Sequence, residues 1–238
     1  MSGWKAKRFW TTVEVVPEGA GFAITLDGRP VRTPAKAPLL LPTVAMAHAV
    51  AAEWAAQEGE VNPAAMPCTR SANAAIDKVA PQFDEVAALI AAYGETDLLC
   101  YRAEAPAALA ARQAAAWDPL LDWAGGALAA PLARTAGVVP CAQDPGALAR
   151  LGAAVRAQTP FQLAALHDLV AISGSLVLGL AVIAGRLTAE GAWAASRIDE
   201  TWQTEQWGED AEAVAAETLR HRDFLHAARF HGLASAAA

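Results

Sequence analysis

One change of hydrophobic period constrains this chain more than any other feature. Before Pro42 the apolar residues alternate or cluster in β-branched runs; after it they recur at helical spacing. Phe9 to Val16 is rich in β-branched and aromatic residues, and Gly21 to Leu26 alternates. Asp27-Gly28 follows at once, the dipeptide suited to a two-residue hairpin turn, whose central residues both need positive φ. Val31 to Thr33 reads as the return strand and Leu39 to Leu41 as a further one. Pro30, Pro34, Pro38 and Pro42 keep these strands short or at an edge.

The remainder is expected to be helical. Thr43 suits an N-cap, and Val44, Ala47, Ala51 and Trp54 fall on one face behind it. Further helices are read over Thr69 to Val79, from Pro81 to Tyr93 with Gly94 as C-cap, and from Pro106 to Gly125-Gly126, with a kink at Pro119. Others follow near 146–157, 160–184, 188–206 and 210–231, with Thr188 and Asp210 capping the last two. The fold class is therefore α+β, mainly α. A small antiparallel β subdomain (1–42) precedes a larger multi-helical domain (43–238) built round a buried central helix.

That central helix carries Leu169 to Gly185, apolar and uncharged. It is at the short end for a membrane span and contains Ser173, Gly174, Ser175 and Gly179. Burial inside the protein is the simpler reading, a membrane anchor the competing one. Ser175 and Gly179 lie one turn apart and would let a neighbouring helix approach closely. The N-terminal residues have basic groups but no apolar signal core, which reads as cytoplasmic and bacterial; a trimmed eukaryotic form would belong to the mitochondrial matrix.

Composition narrows function by exclusion. With 18 Lys and Arg against 25 Asp and Glu, the chain of 238 residues has a formal net charge of -7. Nucleic-acid binding needs a basic surface, so that class is set aside. Three cysteines without a C-x-x-C pair suggest neither a disulfide framework nor a zinc site. No phosphate-cradling glycine loop occurs, and Ser173-Gly174-Ser175 lacks the G-x-S-x-G context of a nucleophile. His221, His226 and His231 are five apart, which puts successive rings on different helix faces and argues against shared metal ligation. No cofactor or metal is expected.

The segment that stands out is Ile198 to Glu217. It holds Asp199, Glu200, Glu205, Glu209, Asp210, Glu212 and Glu217 with no Lys or Arg among them, and Trp202 and Trp207 lie within it. Two readings compete. In one, it is a solvated helix–turn–helix corner with both Trp residues as core anchors. In the other, it is an acidic docking surface with aromatic anchors, and a basic partner relieves the repulsion among the carboxylates. A third possibility is an enzyme that uses these carboxylates with His167 or His221 on a small molecule.

Several strings, in order, resemble one family: the chaperones that bind the unassembled α subunit of F-type ATP synthase. They are Arg8-Phe9-Trp10, LDGRPVRTPAK at 26–36, EWAAQ at 53–57, MPCTRSANAAIDKV at 66–79 and ETDLLCYR at 95–102. WDPLLDWA at 117–124, HDLVAISGSLVLGLAV at 167–182 and SRIDETWQTEQWGEDAEA at 196–213 continue the series. The resemblance implies a β subdomain joined to a helical one, no catalysis and no cofactor. It also implies a protein that shields the α-subunit surface destined for the β subunit. An acidic position in the C-terminal helical part is linked to function in that family, and Glu209, Asp210 and Glu212 match it, with Glu212 favoured. Trp54 matches the E-W-x-x-Q motif as a core residue, and Asp27, Gly28, Arg29 and Pro30, with Thr33 and Pro34, hold the hairpin.

Overall fold

A computed structural model describes residues 7–236. Its sheet begins with β1 (Val13–Glu18) and β2 (Gly21–Leu26), antiparallel from Val13 opposite Leu26 to Glu18 opposite Gly21. β3 (Arg29–Pro30) and β4 (Leu40–Leu41) both pair with the other edge of β2, β3 beside its end and β4 beside its start. Pro17 has no N–H to donate, and it lies in β1, an edge strand. Leu26 faces Arg29 across a two-residue turn in which Asp27 (φ 48) and Gly28 (φ 76) both have positive φ. That is the turn the dipeptide calls for.

Two strand limits differ from expectation. β1 starts at Val13 rather than Phe9, because the N–H groups of Thr11 and Thr12 bond to the Asp27 carboxylate instead of a strand (3.1 and 2.8 Å). The return strand is Arg29–Pro30 rather than Val31 to Thr33. Val31 still donates to Ile24 (2.8 Å), but the chain then closes a tight loop, with Thr33 N bonded to Ala37 O and Lys36 at φ 68.

α1 (Val44–Ala55) begins at Thr43, whose hydroxyl accepts from Met46 N (3.1 Å). Its buried face, Met46, Ala47 and Val50, packs with Ile24, Leu41 and Trp10 in one core. Trp54 packs on that core with its ring 5.3 Å from Trp10, so it is the core residue expected. Glu53 accepts from Cys68 N, Thr69 N and Thr69 Oγ1, which places its charge at the N-terminus of α2 (Pro67–Ala74), where the helix dipole favours an anion.

The compact unit containing the sheet runs past residue 42, to Phe83, and takes in Pro160–Ala165 and the described residues from Arg229 onward. Residue 42 marks where strand gives way to helix, but α1 and α2 share the core of the sheet. Phe230 belongs to that core as well.

The second unit comprises Asp84–Thr159 and Leu166–Ala228. The chain does not leave its helical path between α2 and Pro81. A widened turn over Ala75–Val79 closes with an Ala80 N to Ala75 O bond, a tight turn carries Pro81, and α3 (Phe83–Ala92) follows. Gly94 is no cap: it sits in a tight turn, where a Cβ would meet Leu148, Leu151 and Leu176 side chains at 3.2–3.5 Å. β5 (Tyr101–Arg102) pairs in parallel with β6 (Thr135–Ala136), a short ladder with no signal in the sequence reading. Between them α4 (Ala107–Ala127) runs through Pro119 and past Gly125-Gly126 to its C-cap at Leu128. α5 (Pro145–Arg156) is capped by Asp144.

The expected central helix near 160–184 is two helices, α6 (Pro160–Ser173) and α7 (Leu176–Ile183). Gly174 takes φ +74, a conformation that a β-carbon disfavours, and Ser175 caps α7. Asp97 forces the break. Its buried carboxylate accepts from Ser175 Oγ (2.7 Å), Val177 N (2.9 Å) and Leu99 N (3.0 Å), bonds that an unbroken helix would not offer. α7 then folds back on α6, and a Cβ at Gly179 would lie 2.7 Å from Val170 Cγ2. The close approach foreseen at Gly179 is therefore made by the preceding helix. Among the described residues, no helix is long and apolar enough to cross a membrane. The stretch near 188–206 is likewise two helices, α8 (Ala189–Ser196) and α9 (Ile198–Trp207), broken at Arg197. α10 (Ala211–Ser235) completes the chain.

Candidate functional site

α9 is held on α4 by polar bonds from both ends. Gln113, buried inside the unit, receives Ala103 N on its carbonyl (2.7 Å) and donates to Asp199 Oδ1 (2.6 Å). Arg112 reaches both oxygens of Glu205 (2.9 and 2.8 Å). Just upstream, Trp117 Nε1 donates to Ala195 O (2.8 Å), and Arg197 pairs with Glu200 (2.8 Å) while its guanidinium lies 5.2 Å from the Trp193 ring centre. These bonds fix which face of α9 turns outward.

The corner between α9 and α10 is exposed. α9 ends at Gly208 (φ +88), and Asp210 caps α10 by accepting from Glu212 N (2.8 Å). From Ala211 to Arg220 every residue except the half-buried Glu217 is exposed. Trp207 is 79% exposed and Trp202 is half-buried, so Trp207 is not the core anchor that one reading required. Val214 and Leu219 are bare apolar residues on the same stretch.

The seven carboxylates do not form one repelling cloud. Glu200 and Glu205 have arginine partners, Asp199 accepts from Gln113, and Asp210 serves as a cap. Glu209, Glu212 and Glu217 have no partner among the described residues, and Glu209 and Glu212 are exposed. The free negative charge is thus concentrated at the turn and the first turns of α10, where the sequence placed it. A groove of ≈ 420 Å³ runs between α9 and α10, with Glu200, Trp207, Asp210, Ala213 and Glu217 along it and Arg197 and Arg220 at its side.

The histidines proposed for an enzyme do not join these carboxylates. His221 bonds Glu190 (2.8 Å) and stacks on Trp193, with ring centres 5.0 Å apart. His167 is paired with the adjacent Asp168 (2.9 Å), which holds its pKa above the usual histidine value. Neither lines the groove. Burial pushes the Cys68 thiol up to about 11 and the Cys100 thiol to about 12, which leaves both as poor nucleophiles at neutral pH. Asp97 is also pushed up by burial, but its bonds go to the α7 cap and not to open space.

Asp27 and Gly28 form the hairpin turn, while Arg29 and Pro30 are exposed on β3. Five bonds from the N–H and hydroxyl groups of Thr12 and Thr11 hold the Asp27 carboxyl at a pKa of about 2. The sequence reading missed Val138 and Val139, 92% and 71% exposed on the loop after β6. Their signal was an apolar β-branched pair between Gly137 and Pro140, a place where polar turn residues are usual.

Residues 7–125 match the model of the family described as ATP12 chaperone protein. The crystal structure of Atp12 from Paracoccus denitrificans is similar at 55% sequence identity, over 96% of this chain and 98% of that one, with a TM-score of 0.94. Atu1473 from Agrobacterium tumefaciens is similar at 44% identity, over 94% of this chain and 85% of that one, with a TM-score of 0.88.

Proposed function

The chain belongs to the ATP12 chaperone family, and on that premise we propose that it assists ATP synthase assembly by holding the unassembled α subunit. It covers the surface that will meet the β subunit and gives way to that subunit during assembly. One observation carries the reading: an exposed corner that presents the bare indole of Trp207 and, within five residues after it, the unpaired Glu209 and Glu212. A large apolar ring in water favours contact with a partner, and free carboxylates beside it select a basic one. Glu205, Glu200 and Asp199 belong to the same helix, but their bonds to Arg112, Arg197 and Gln113 suit them to supporting the corner, while Trp202 is half-buried beside them. An obligate subunit interface is apolar and aggregates when left uncovered, so a cover with a polar, exchangeable contact is physically sensible.

The test is binding of the purified protein to isolated α subunit, with α-subunit turbidity followed in parallel. The complex is expected to form and turbidity to fall. Glu212→Lys is expected to weaken binding by ~1–3 kcal/mol without loss of helix content. Absence of any complex at moderate salt overturns the reading; normal binding by the folded variant moves the interface elsewhere.

A further inference from the structure

A second groove, of ≈ 590 Å³, lies between α9 and the segment Tyr101–Pro106 and borders the first at Gln203 and Trp207. Trp202 and Trp207 form one wall, Val138 the other, and Tyr101 and Leu109 line it as well. Val138 and Trp207 are among the most exposed large apolar side chains of the protein, and here they border one cleft. Its volume is that of an open cleft able to receive a bulky side chain.

Its charge is one-sided. Arg102, the cation of the lining, is engaged by Asp118 (2.6 Å), by the Leu99 carbonyl and by the face of Trp117 (4.9 Å to the ring centre). Glu104 has no cation within pairing distance among the described residues. Its Oε1 would be 2.7 Å from a Cβ at Gly137, so the carboxylate rests on the loop that carries Val138. An apolar cleft with a free carboxylate on its rim suits a large apolar side chain with a cation close by in sequence.

Resting on the function proposed above, we propose that this groove takes a segment of the α subunit bearing a bulky apolar residue beside a Lys or Arg. The chaperone then grips its client at two places along α9: apolar insertion here, charge at the corner with α10. The two contacts differ in salt response. Screening weakens the corner contact, whereas apolar burial is little affected by moderate salt.

The experiment uses the full chain and the isolated α subunit. Val138 is 92% exposed, so Val138→Glu should leave the fold intact; circular dichroism and the thermal midpoint check this. At high salt, where the new carboxylate is screened, Val138→Glu is still expected to weaken binding about tenfold or more, whereas Glu212→Lys loses its effect as salt rises. A photo-crosslinker at position 138 is expected to capture an α-subunit peptide with a bulky apolar residue within about one helical turn of Lys or Arg. If wild type forms the complex but Val138→Glu binds normally, or the crosslinker captures no α-subunit peptide of that composition, the groove proposal is overturned while the chaperone reading stands. If wild type forms no complex, the chaperone reading fails and this proposal with it.

Discussion

Asp27 shows how much one residue can do at a turn. It takes positive φ, starts the return strand and ties down Thr11 and Thr12. Its carboxyl pKa is lowered to about 2, chiefly by the bonds from Thr12. Because the folded value lies below the unfolded one, the stabilisation is complete above the ordinary aspartate value and is lost as pH falls towards about 2. In Asp27→Asn this acid-side loss between about pH 4 and pH 2 is expected to disappear from stability curves measured by denaturant titration. A slope over that window identical to wild type would show that the turn does not couple to protonation.

Asp97 is the opposite case, with its carboxyl raised by burial. Ionisation opposes folding there, increasingly as pH rises from the ordinary aspartate value through the raised one, and the three donated bonds offset that cost. Asp97→Ala leaves Leu99 N, Ser175 Oγ and Val177 N without their buried acceptor. It is expected to cost ~2–5 kcal/mol in equilibrium unfolding. A loss below ~1 kcal/mol would mean that water or a shifted loop replaces the carboxylate.

At the scale of elements, close packing explains α6 and α7. Gly179→Ala would place a methyl 2.7 Å from Val170 Cγ2 and 3.1 Å from Leu166 Cδ1. Val170 is β-branched and cannot swing aside freely, so a cost of ~1–3 kcal/mol is expected despite the better helix propensity of alanine. A stabilised variant would show that the helix pair yields. α9 depends on a different device, Gln113, which bonds both Ala103 and Asp199. Gln113→Ala is expected to raise amide exchange across α9 while the sheet exchanges as before, because the bond to α9 is lost and those within β1 and β2 are not.

For the molecule as a whole, a formal net charge of -7 and an acidic corner favour encounter with a basic partner, which the function proposed above supplies. Association with the α subunit is expected to slow by roughly tenfold as salt rises from low to physiological levels, with dissociation changing less. A salt-independent association rate would place the charges outside the encounter surface.

The hairpin, the capping threonines and the helical remainder follow from local chemistry: turn φ preferences, hydroxyl caps and apolar spacing act over a few residues, and the sequence displays them. The concentration of carboxylates round Trp207 was legible for the same reason. What no local pattern encoded was contact between distant residues. Asp97 breaks an apolar run some eighty positions away, since a buried carboxylate must find donors wherever the fold offers them. Arg112 and Gln113 engage Glu205 and Asp199 and leave Glu209 and Glu212 free, so the fold divides an acidic block that reads as uniform into supporting and available charges. The cleft at Val138 exists only because the loop after β6 is brought opposite Trp202 and Trp207. The sequence alone determined the hairpin, the helical remainder and the family resemblance; the tertiary structure decided where the long helices break, which charges are free and which apolar side chains meet, because these depend on residues that become neighbours only on folding.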